Sequence, residues 1–344
     1  MGISGADVDV LIVGAGHGGL GVAARLKAGG REPLIVDTNA RVGNSWRERW
    51  ASLRLFTPRF VNGLPGMRFP DGTDPFPGKD EVADYEERYA REFDLELRLG
   101  ARATRMRRVG DAFEVTVGGQ TLRARNVVLA NGAHQTPRTP SFAASLDRGI
   151  HQLHSRDYGR AGALPDGPVL VVGARNSGAE IAGDLASTHA VTVAQGAPTP
   201  FAPARWRSPA WWRIAQLRSW IARGRRMSPL LPWPLAVRTY VEVDVERAAR
   251  EGRFRVAPRV VGVDAGGQEL QFADGSVARP RVVIWATGFR IDDSWVDVPS
   301  GERGIGFGPH GRGPVPGLWT VRAGLLATLH YEARAVASDI LATR

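Results

Sequence analysis

Two stretches of this chain have the residue types and spacing to hold a dinucleotide. The first, VDVLIVGAGHGGLGVAARLKAGGREPLIVD at residues 8–37, places Gly14, Gly16 and Gly19 in a G-x-G-x-x-G turn and ends its second apolar run on an acid, Asp37. Gly14 permits the tight turn, Gly16 lets the backbone approach a pyrophosphate, and Gly19 lets the following helix sit close to the strand. The N–H groups at the helix start can receive phosphate oxygens, and Asp37 can accept ribose hydroxyls. The second stretch, VLVVGARNSGAEIAGDL from residue 169, keeps Gly173 and Gly178 and adds Asn176 and Ser177, but has Arg175 where the middle glycine belongs. A β-carbon there crowds a pyrophosphate, while a guanidinium adds reach, charge and a forked donor. Arg175 either swings outward and holds a phosphate from the side or lies across the turn and fills the place of the phosphates. The strand Ala190–Val193 is followed by AQGAPTP, with no arginine placed to receive the 2′-phosphate of NADP; Arg205 and Arg207 come later. Whether NADPH, NADH or neither binds stays open on these residues.

Both turns need a strand before them and a helix after them. Val8–Val13 and Val169–Val172 are the apolar runs. Leu20, Ala23, Ala24 and Leu26 give the first helix, which Gly29-Gly30 ends, and Glu180–Leu185 continue the second. Asp80 reads as the N-cap of a helix carrying Val82, Tyr85, Tyr89 and Phe93. Turns at Gly110-Asp111 and Gly118-Gly119 divide short alternating runs that end in the strand Val127–Leu129, a β-meander returning to the sheet. Further β runs over 254–278 lead to VVIWATG at 282–288. The expected fold class is α/β, with two Rossmann-like dinucleotide-binding domains, the second inserted in the first. The expected boundaries are 1–160 and 281–344 for the first domain and 166–280 for the second, with a Trp/Arg-rich insertion over 200–240.

Composition bounds the chemistry. The chain has 344 residues, 43% of them hydrophobic, enough for two cores. Its net charge of +10 is almost all arginine, since Lys27 and Lys79 are the only lysines. The arginines are spread along the chain without a nucleic-acid-binding motif, so no nucleic-acid partner is expected. There is no cysteine, which excludes thiolate nucleophiles, thiolate metal sites and a redox-active cysteine pair. No metal is expected. No basic leader with a cleavage site opens the chain and no apolar run reaches a membrane-spanning length, so a cytoplasmic protein is expected.

Residues 43–58, GNSWRERWASLRLFTP, are followed by ANGAHQTP at 130–137, LHSRDY at 153–158 and WATGFR at 285–290. In this order, with two nucleotide turns, the chain resembles the flavin-containing monooxygenase family over nearly its whole length, in the pattern of short bacterial members related to the Baeyer–Villiger monooxygenases. The resemblance implies FAD on the first turn and NADPH on the second. It places Gly43, Ser45, Trp46 and Arg47 along the FAD, with Asn44 replacing a second glycine, and passes Leu55–Pro58 near the flavin ring. Asn131-Gly132 and Thr287-Gly288 resemble the two turns that join the domains, Asn131 replacing a threonine. Gly14, Gly16, Gly19, Asp37, Thr57, Asn131, Gly132, Gly288, Ala323 and Thr328 are the further FAD candidates. Gly173, Arg175, Asn176, Ser177, Gly178 and Thr287 are those for the nicotinamide dinucleotide. Phe56, Thr57 and His330 are the flavin-proximal candidates, and no catalytic side chain is assigned.

Departures qualify the likeness. His154 and Tyr158 match the end of the family signature FxGxxxHxxx(W/F), but Arg148 and Ile150 stand where Phe and Gly belong, and Ala323 stands where an Asp often meets the ribityl chain. Trp46 and Trp50 also read as core aromatics, although the flanking glycine and arginine favour a cofactor. His154 reads equally as a satisfied histidine, and Thr328 as the cap of a helix over Leu329–Leu341. From Leu185 to Val241 there is no acidic residue, and Trp206, Trp211, Trp212, Trp220 and Trp233 fall there among seven prolines. A helix over 210–223 puts Trp211, Ile214, Leu217 and Ile221 on one side. The segment reads as an insertion packed on the body, a lid over a substrate cavity, a homodimer contact or a peripheral membrane patch.

The implied activity is NAD(P)H-dependent oxygenation of a small organic substrate at nitrogen, sulfur or a ketone through a flavin C4a-(hydro)peroxide. The alternatives are an FAD oxidase or redox-neutral flavoenzyme with a degenerate nicotinamide site, and a non-catalytic nucleotide-binding relative.

Overall fold

The computed structural model describes residues 7–196, 208–214, 245–299, 305–322 and 326–343. By its backbone contacts the chain forms two compact units, one of residues 1–47, 59–136 and 289–344 and the other of residues 48–58 and 137–288.

The first unit is built on β1 (Asp7–Val13), α1 (His17–Ala28) and β2 (Leu34–Val36). A single helical turn, α2 (Asn44–Arg47), and α3 (Lys79–Glu92) precede β3 (Leu97–Arg98). The hairpins β4 (Ala103–Val109), β5 (Ala112–Val117) and β6 (Gln120–Leu129) follow, with β17 (Val296–Asp297) and β18 (Leu318–Thr320) arriving from the last third of the chain. The sheet order is β17-β4-β5-β6-β1-β2-β3, and β18 also pairs β6. The long strand β6 serves three ladders, one of them parallel with β1 along Arg123–Leu129. Its first half pairs antiparallel with β5, and its buried last residues, Val127–Leu129, pair in parallel with β18. The C-terminal helix spans Leu326–Ala342 and buries Ala333, Val336, Ala337 and Ile340, a spacing that keeps one face on the core.

The second unit opens a separate sheet. Its strands β8 (His151–His154), β9 (Val169–Val172), β10 (Val191–Ala194), β11 (Arg255–Ala257) and β15 (Val282–Trp285) run parallel in the order β11-β10-β9-β15-β8. Helix α4 (Asn176–Leu185) connects β9 to β10. β9 and β15 are buried along their whole length, as strands covered on both faces must be. A three-stranded antiparallel sheet, β12 (Val260–Val263), β13 (Leu270–Phe272) and β14 (Val277–Ala278), completes it. Two-residue strands β7 (Thr136–Pro137) and β16 (Phe289–Arg290) stand where the chain passes between units.

Several expectations are corrected. The units divide near 137 and 289 rather than at 160 and 281, because β8 pairs residue for residue with β15 in the second sheet. Residues 48–58 also go with the second unit, where Trp50, Leu53 and Phe56 join its core. The N-cap of α3 is Gly78, not Asp80. The Glu81 carboxylate accepts the Gly78 N–H at 2.8 Å, which starts the helix earlier and leaves Asp80 in its first turn. Thr328 lies inside the first turn of the last helix instead of capping it, since the helix-forming pair Leu326-Ala327 is already wound. Most of the insertion over 200–240, with Arg205, Arg207 and the helix expected over 210–223, lies outside the described residues. In the piece 208–214, Trp212 is buried and Ile214 is 58% exposed, so the covered side is not the one carrying Ile214. Ala323 lies outside the described residues, as does the side chain of Thr328. Among the described residues no helix is long and apolar enough to cross a membrane, and no cluster of His, Asp and Glu could hold a metal.

Candidate functional site

The two units use the same device, at the end of β1 in the first and of β9 in the second. In the first unit, Gly14 has φ of 116° and donates to Val36 O at 2.8 Å, and a β-carbon on it would strike the carbonyl of Ala130. A β-carbon on Gly19 would strike the carbonyl of Gly14. In the second unit, Gly173 has φ of 112° and donates to Ala194 O at 2.9 Å, with Ala286 in the place of Ala130, and a β-carbon on Gly178 would strike Gly173 O. First and last glycines in both turns are therefore packing requirements, imposed by helix, turn and neighbouring strand.

The middle position differs in kind. A β-carbon on Gly16 would meet no heavy atom within 4 Å. Gly16 is the N-cap of α1 with φ −84° and ψ −177°, ordinary extended backbone, and no side chain caps the helix. Its bare backbone and free N–H groups border open space, a cradle a β-carbon would fill. In the second unit Arg175 takes the same N-cap position with φ −82° and ψ −171°, again with no side-chain cap. The Arg175 carbonyl accepts the Ala179 N–H at 2.8 Å, while its side chain is exposed and makes no hydrogen bond or ion pair with the described residues, so the guanidinium is not bonded across the turn.

Asp37 follows β2 and is already engaged. Its Oδ2 accepts the Ala15 N–H at 2.7 Å and its Oδ1 accepts the Asn39 N–H at 2.7 Å. Each oxygen keeps acceptor capacity, and the two bonds aim the carboxylate beside the turn. The ladders β1–β2 and β9–β10 put Val36 opposite Val13 and Ala194 opposite Val172, so Gln195 is the counterpart of Asp37.

Gly43 has φ of 79° and packs against α3, where a β-carbon would stand 2.7 Å from Ala83 Cα. Ser45 is exposed in the turn of α2. Trp46 Nε1 donates to Glu86 Oε1 at 3.1 Å. Arg47 is committed to α3, with Nη2 on Asp84 at 2.6 Å and Glu87 at 3.1 Å, and Nη1 on the Val42 carbonyl. Glu86 and His17 went unread in the sequence. Glu86 is fully buried, and His17 Nδ1 lies 3.5 Å from its Oε1. The signal was present, since Glu86 falls with Val82, Tyr85 and Tyr89 on the buried face of α3.

Asn131 Oδ1 accepts from Arg322 Nε at 3.1 Å, and Arg322 forms a two-pronged pair with Asp293 at 2.9 and 2.7 Å. Gly132 has φ of 70° and open space at its β-position. Arg25 of α1 donates to His330 Nδ1 at 3.4 Å. In the second unit, Thr57 is buried and Phe56 half-buried. The Thr287 hydroxyl donates to the Arg138 carbonyl. His154 is a satisfied buried histidine. Its Nδ1 accepts the Arg156 N–H at 3.1 Å, which leaves Nε2 to donate to Gly288 O at 3.0 Å, and burial lowers its pKa. Tyr158 donates to Asp184 Oδ2 at 2.5 Å, and burial pushes its phenol well above the usual range. Burial alone pushes the Glu180 carboxyl, on α4, up to about 8. The first unit thus gathers Gly14, Gly16, Gly19, Asp37, Gly43, Ser45, Trp46, Arg47, Asn131, Gly132 and His330. The second gathers Phe56, Thr57, Gly173, Arg175, Asn176, Ser177, Gly178, Thr287 and Gly288.

Residues 11–206 match the family model for pyridine nucleotide-disulphide oxidoreductases. An uncharacterized CzcO-like oxidoreductase of Geobacillus kaustophilus is 34% identical, covering 97% of this chain and 98% of that protein. The flavin-containing monooxygenase of Stenotrophomonas maltophilia superposes with a TM-score of 0.81 at 25% identity, covering 98% of each chain. The indole-3-pyruvate monooxygenase YUCCA1 of rice is 33% identical over 51% of this chain and 44% of its own length. The chain belongs to the pyridine nucleotide-disulphide oxidoreductase family, where it stands with the flavin monooxygenases and is a flavin-dependent oxidoreductase. Having no cysteine, it does not carry the disulfide chemistry in the family's name.

Proposed function

We propose that the chain is an FAD-dependent monooxygenase that draws electrons from NADPH and oxygenates a small organic substrate at nitrogen, sulfur or a ketone. One observation carries the reading. Both units build the same glycine-locked turn, and in the first the one glycine that packing does not require, Gly16, borders open space. FAD fits there. The N–H groups at the start of α1 receive its pyrophosphate, Asp37 keeps acceptor capacity for the ribose, and Gly132 lets the chain pass close to the cofactor. Gly43, Ser45 and Trp46 line it, with Glu86 fixing the indole of Trp46 and Asp84 and Glu87 fixing Arg47. Phe56, Thr57, His330, Gly288, Ala323 and Thr328 stay the sequence-based candidates for the flavin's surroundings. When bound, FAD would supply the redox chemistry that carries two electrons from NADPH to dioxygen, so that one oxygen atom would enter the substrate and the other would leave as water.

The nicotinamide dinucleotide belongs on the second turn, at Gly173, Asn176, Ser177 and Gly178 with Thr287 behind. The exposure of Arg175 and the lack of bonds from its side chain to the turn favour the outward position, from which it holds a phosphate. The chain's own contribution is to orient the two cofactors and exclude water; no side chain need act as nucleophile.

The test is anaerobic. NADPH is added to FAD-reconstituted protein and flavin absorption is followed. Bleaching is expected in the wild type, and Arg175→Ala should need about 10-fold more NADPH. Bound FAD that no reduced nicotinamide can bleach would refute the NADPH part of the reading and turn the search to substrates that reduce the flavin themselves.

A further inference from the structure

The second unit lacks the arginine that ordinarily follows the second strand of an NADP-binding domain. Gln195 and Gly196 stand there instead. The sheet supplies a cation from elsewhere. β10 and β11 are parallel neighbours, with Ala194 opposite Ala257, and Gln195 N donates to Ala257 O at 2.8 Å. The chain leaving β11 therefore emerges beside the chain leaving β10, at the carboxyl edge where such sheets bind nucleotides. The second residue past β11 is Arg259. A β-carbon on Gly196 would stand 3.3 Å from Arg259 Nε and 3.6 Å from its Nη2, so the guanidinium lies against the bare Cα of Gly196. The Arg259 carbonyl accepts the Ala273 N–H at 2.9 Å, which pins its backbone to the antiparallel sheet. Its side chain is exposed and has no hydrogen bond or ion pair among the described residues. The counterpart of Asp37 here is the neutral Gln195, so the carboxylate that would repel a phosphate beside the ribose is missing.

We propose that Arg259 is the residue by which this chain recognises the 2′-phosphate of NADPH, reaching across Gly196 from the neighbouring strand. The inference rests on the reading of the second turn as the nicotinamide dinucleotide site. A guanidinium fits a phosphate with two parallel bonds and offers nothing comparable to a ribose hydroxyl, so it selects NADPH over NADH. Glycine at 196 is part of the device, because a β-carbon there already presses on the guanidinium and a branched side chain displaces it.

The test measures binding of 2′,5′-ADP and of AMP by calorimetry to the full FAD-reconstituted chain, alongside anaerobic flavin bleaching by NADPH and NADH. The wild type should prefer 2′,5′-ADP. Arg259→Ala should weaken 2′,5′-ADP and NADPH by about 10- to 100-fold and leave AMP and NADH unchanged. Arg259→Lys should restore part of the loss, and Gly196→Val should reproduce it. Equal loss for both members of each pair would mean a structural role and overturn the proposal. So would a wild type that does not prefer 2′,5′-ADP, or an Arg259→Ala variant that keeps the preference. An arginine-dependent preference for 2′,5′-ADP without bleaching by NADPH would support the assignment of Arg259 and count against hydride transfer to the flavin.

Discussion

Two glycine-to-alanine substitutions three residues apart should have opposite effects, although the motif treats them alike. At Gly16 the backbone is extended, and a new β-carbon meets nothing within 4 Å. Gly16→Ala should fold as the wild type does, because the lost chain entropy of glycine offsets the weaker N-cap, each worth less than about 1 kcal/mol. At Gly19 the β-carbon would lie inside the van der Waals radius of the Gly14 carbonyl, on backbone that cannot rotate away. Gly19→Ala must push α1 off the strand, at about 3 kcal/mol or more. For a chain of this size that is a fall of roughly 4 °C or more in melting temperature. FAD binding should show the reverse contrast. The methyl of Gly16→Ala occupies the space through which the pyrophosphate approaches and spoils one charge-assisted bond, worth about 1.5–3 kcal/mol, or about 10- to 100-fold in affinity. Thermal unfolding of apoprotein and FAD titration by flavin fluorescence separate the two effects. A Gly16→Ala protein that binds FAD as tightly as wild type would refute the reasoning, since it would mean the pyrophosphate does not pass over that residue.

Other substitutions probe the surroundings. The Glu180 carboxyl is held near 8 in the folded protein against about 4.5 in a peptide, so the folded state binds more protons between those values and stability falls as pH rises through that window. Glu180→Gln should remove this fall, a gain at pH 8.5 over pH 5 of at most about 5 kcal/mol, visible in paired melting curves. Arg322→Ala strands the mostly buried Asp293 and frees Asn131; it should cost about 3 kcal/mol in a denaturant titration, with Asp293→Asn in the same chain recovering part of it. Tyr158→Phe removes the donor to Asp184 and should cost about 1–2 kcal/mol by the same titration.

The local rules that fix a nucleotide turn were legible in the chain itself. A strand, a tight glycine turn and a helix are set by neighbouring residues, so the two α/β cores could be read from their apolar runs and glycines, as could the helical face of Tyr85 and Tyr89. The helix starts were less legible. Gly78 outcompetes Asp80 because Glu81 reaches back to it, and Leu326 opens the last helix before Thr328, choices made by reciprocal bonds and by packing. Where a segment pairs was not legible at all. Residues 151–154 and 48–58 carry no local mark of which sheet or core they join, and the parallel partner β15 lies far along the chain from β8.

By itself, the sequence determined that two dinucleotide turns exist, that no cysteine chemistry is available and that Arg175 breaks the second motif. Only the tertiary structure decided what the first glycine of each turn packs against, Ala130 for Gly14 and Ala286 for Gly173, both arriving from distant strands. It also decided that Arg47 is spent on α3, that a buried Glu86 stands under Trp46, and that Arg259 lies beside Gly196. Each of these is a meeting of residues far apart in the chain, brought together by sheet order and register, and no spacing within one segment can encode it.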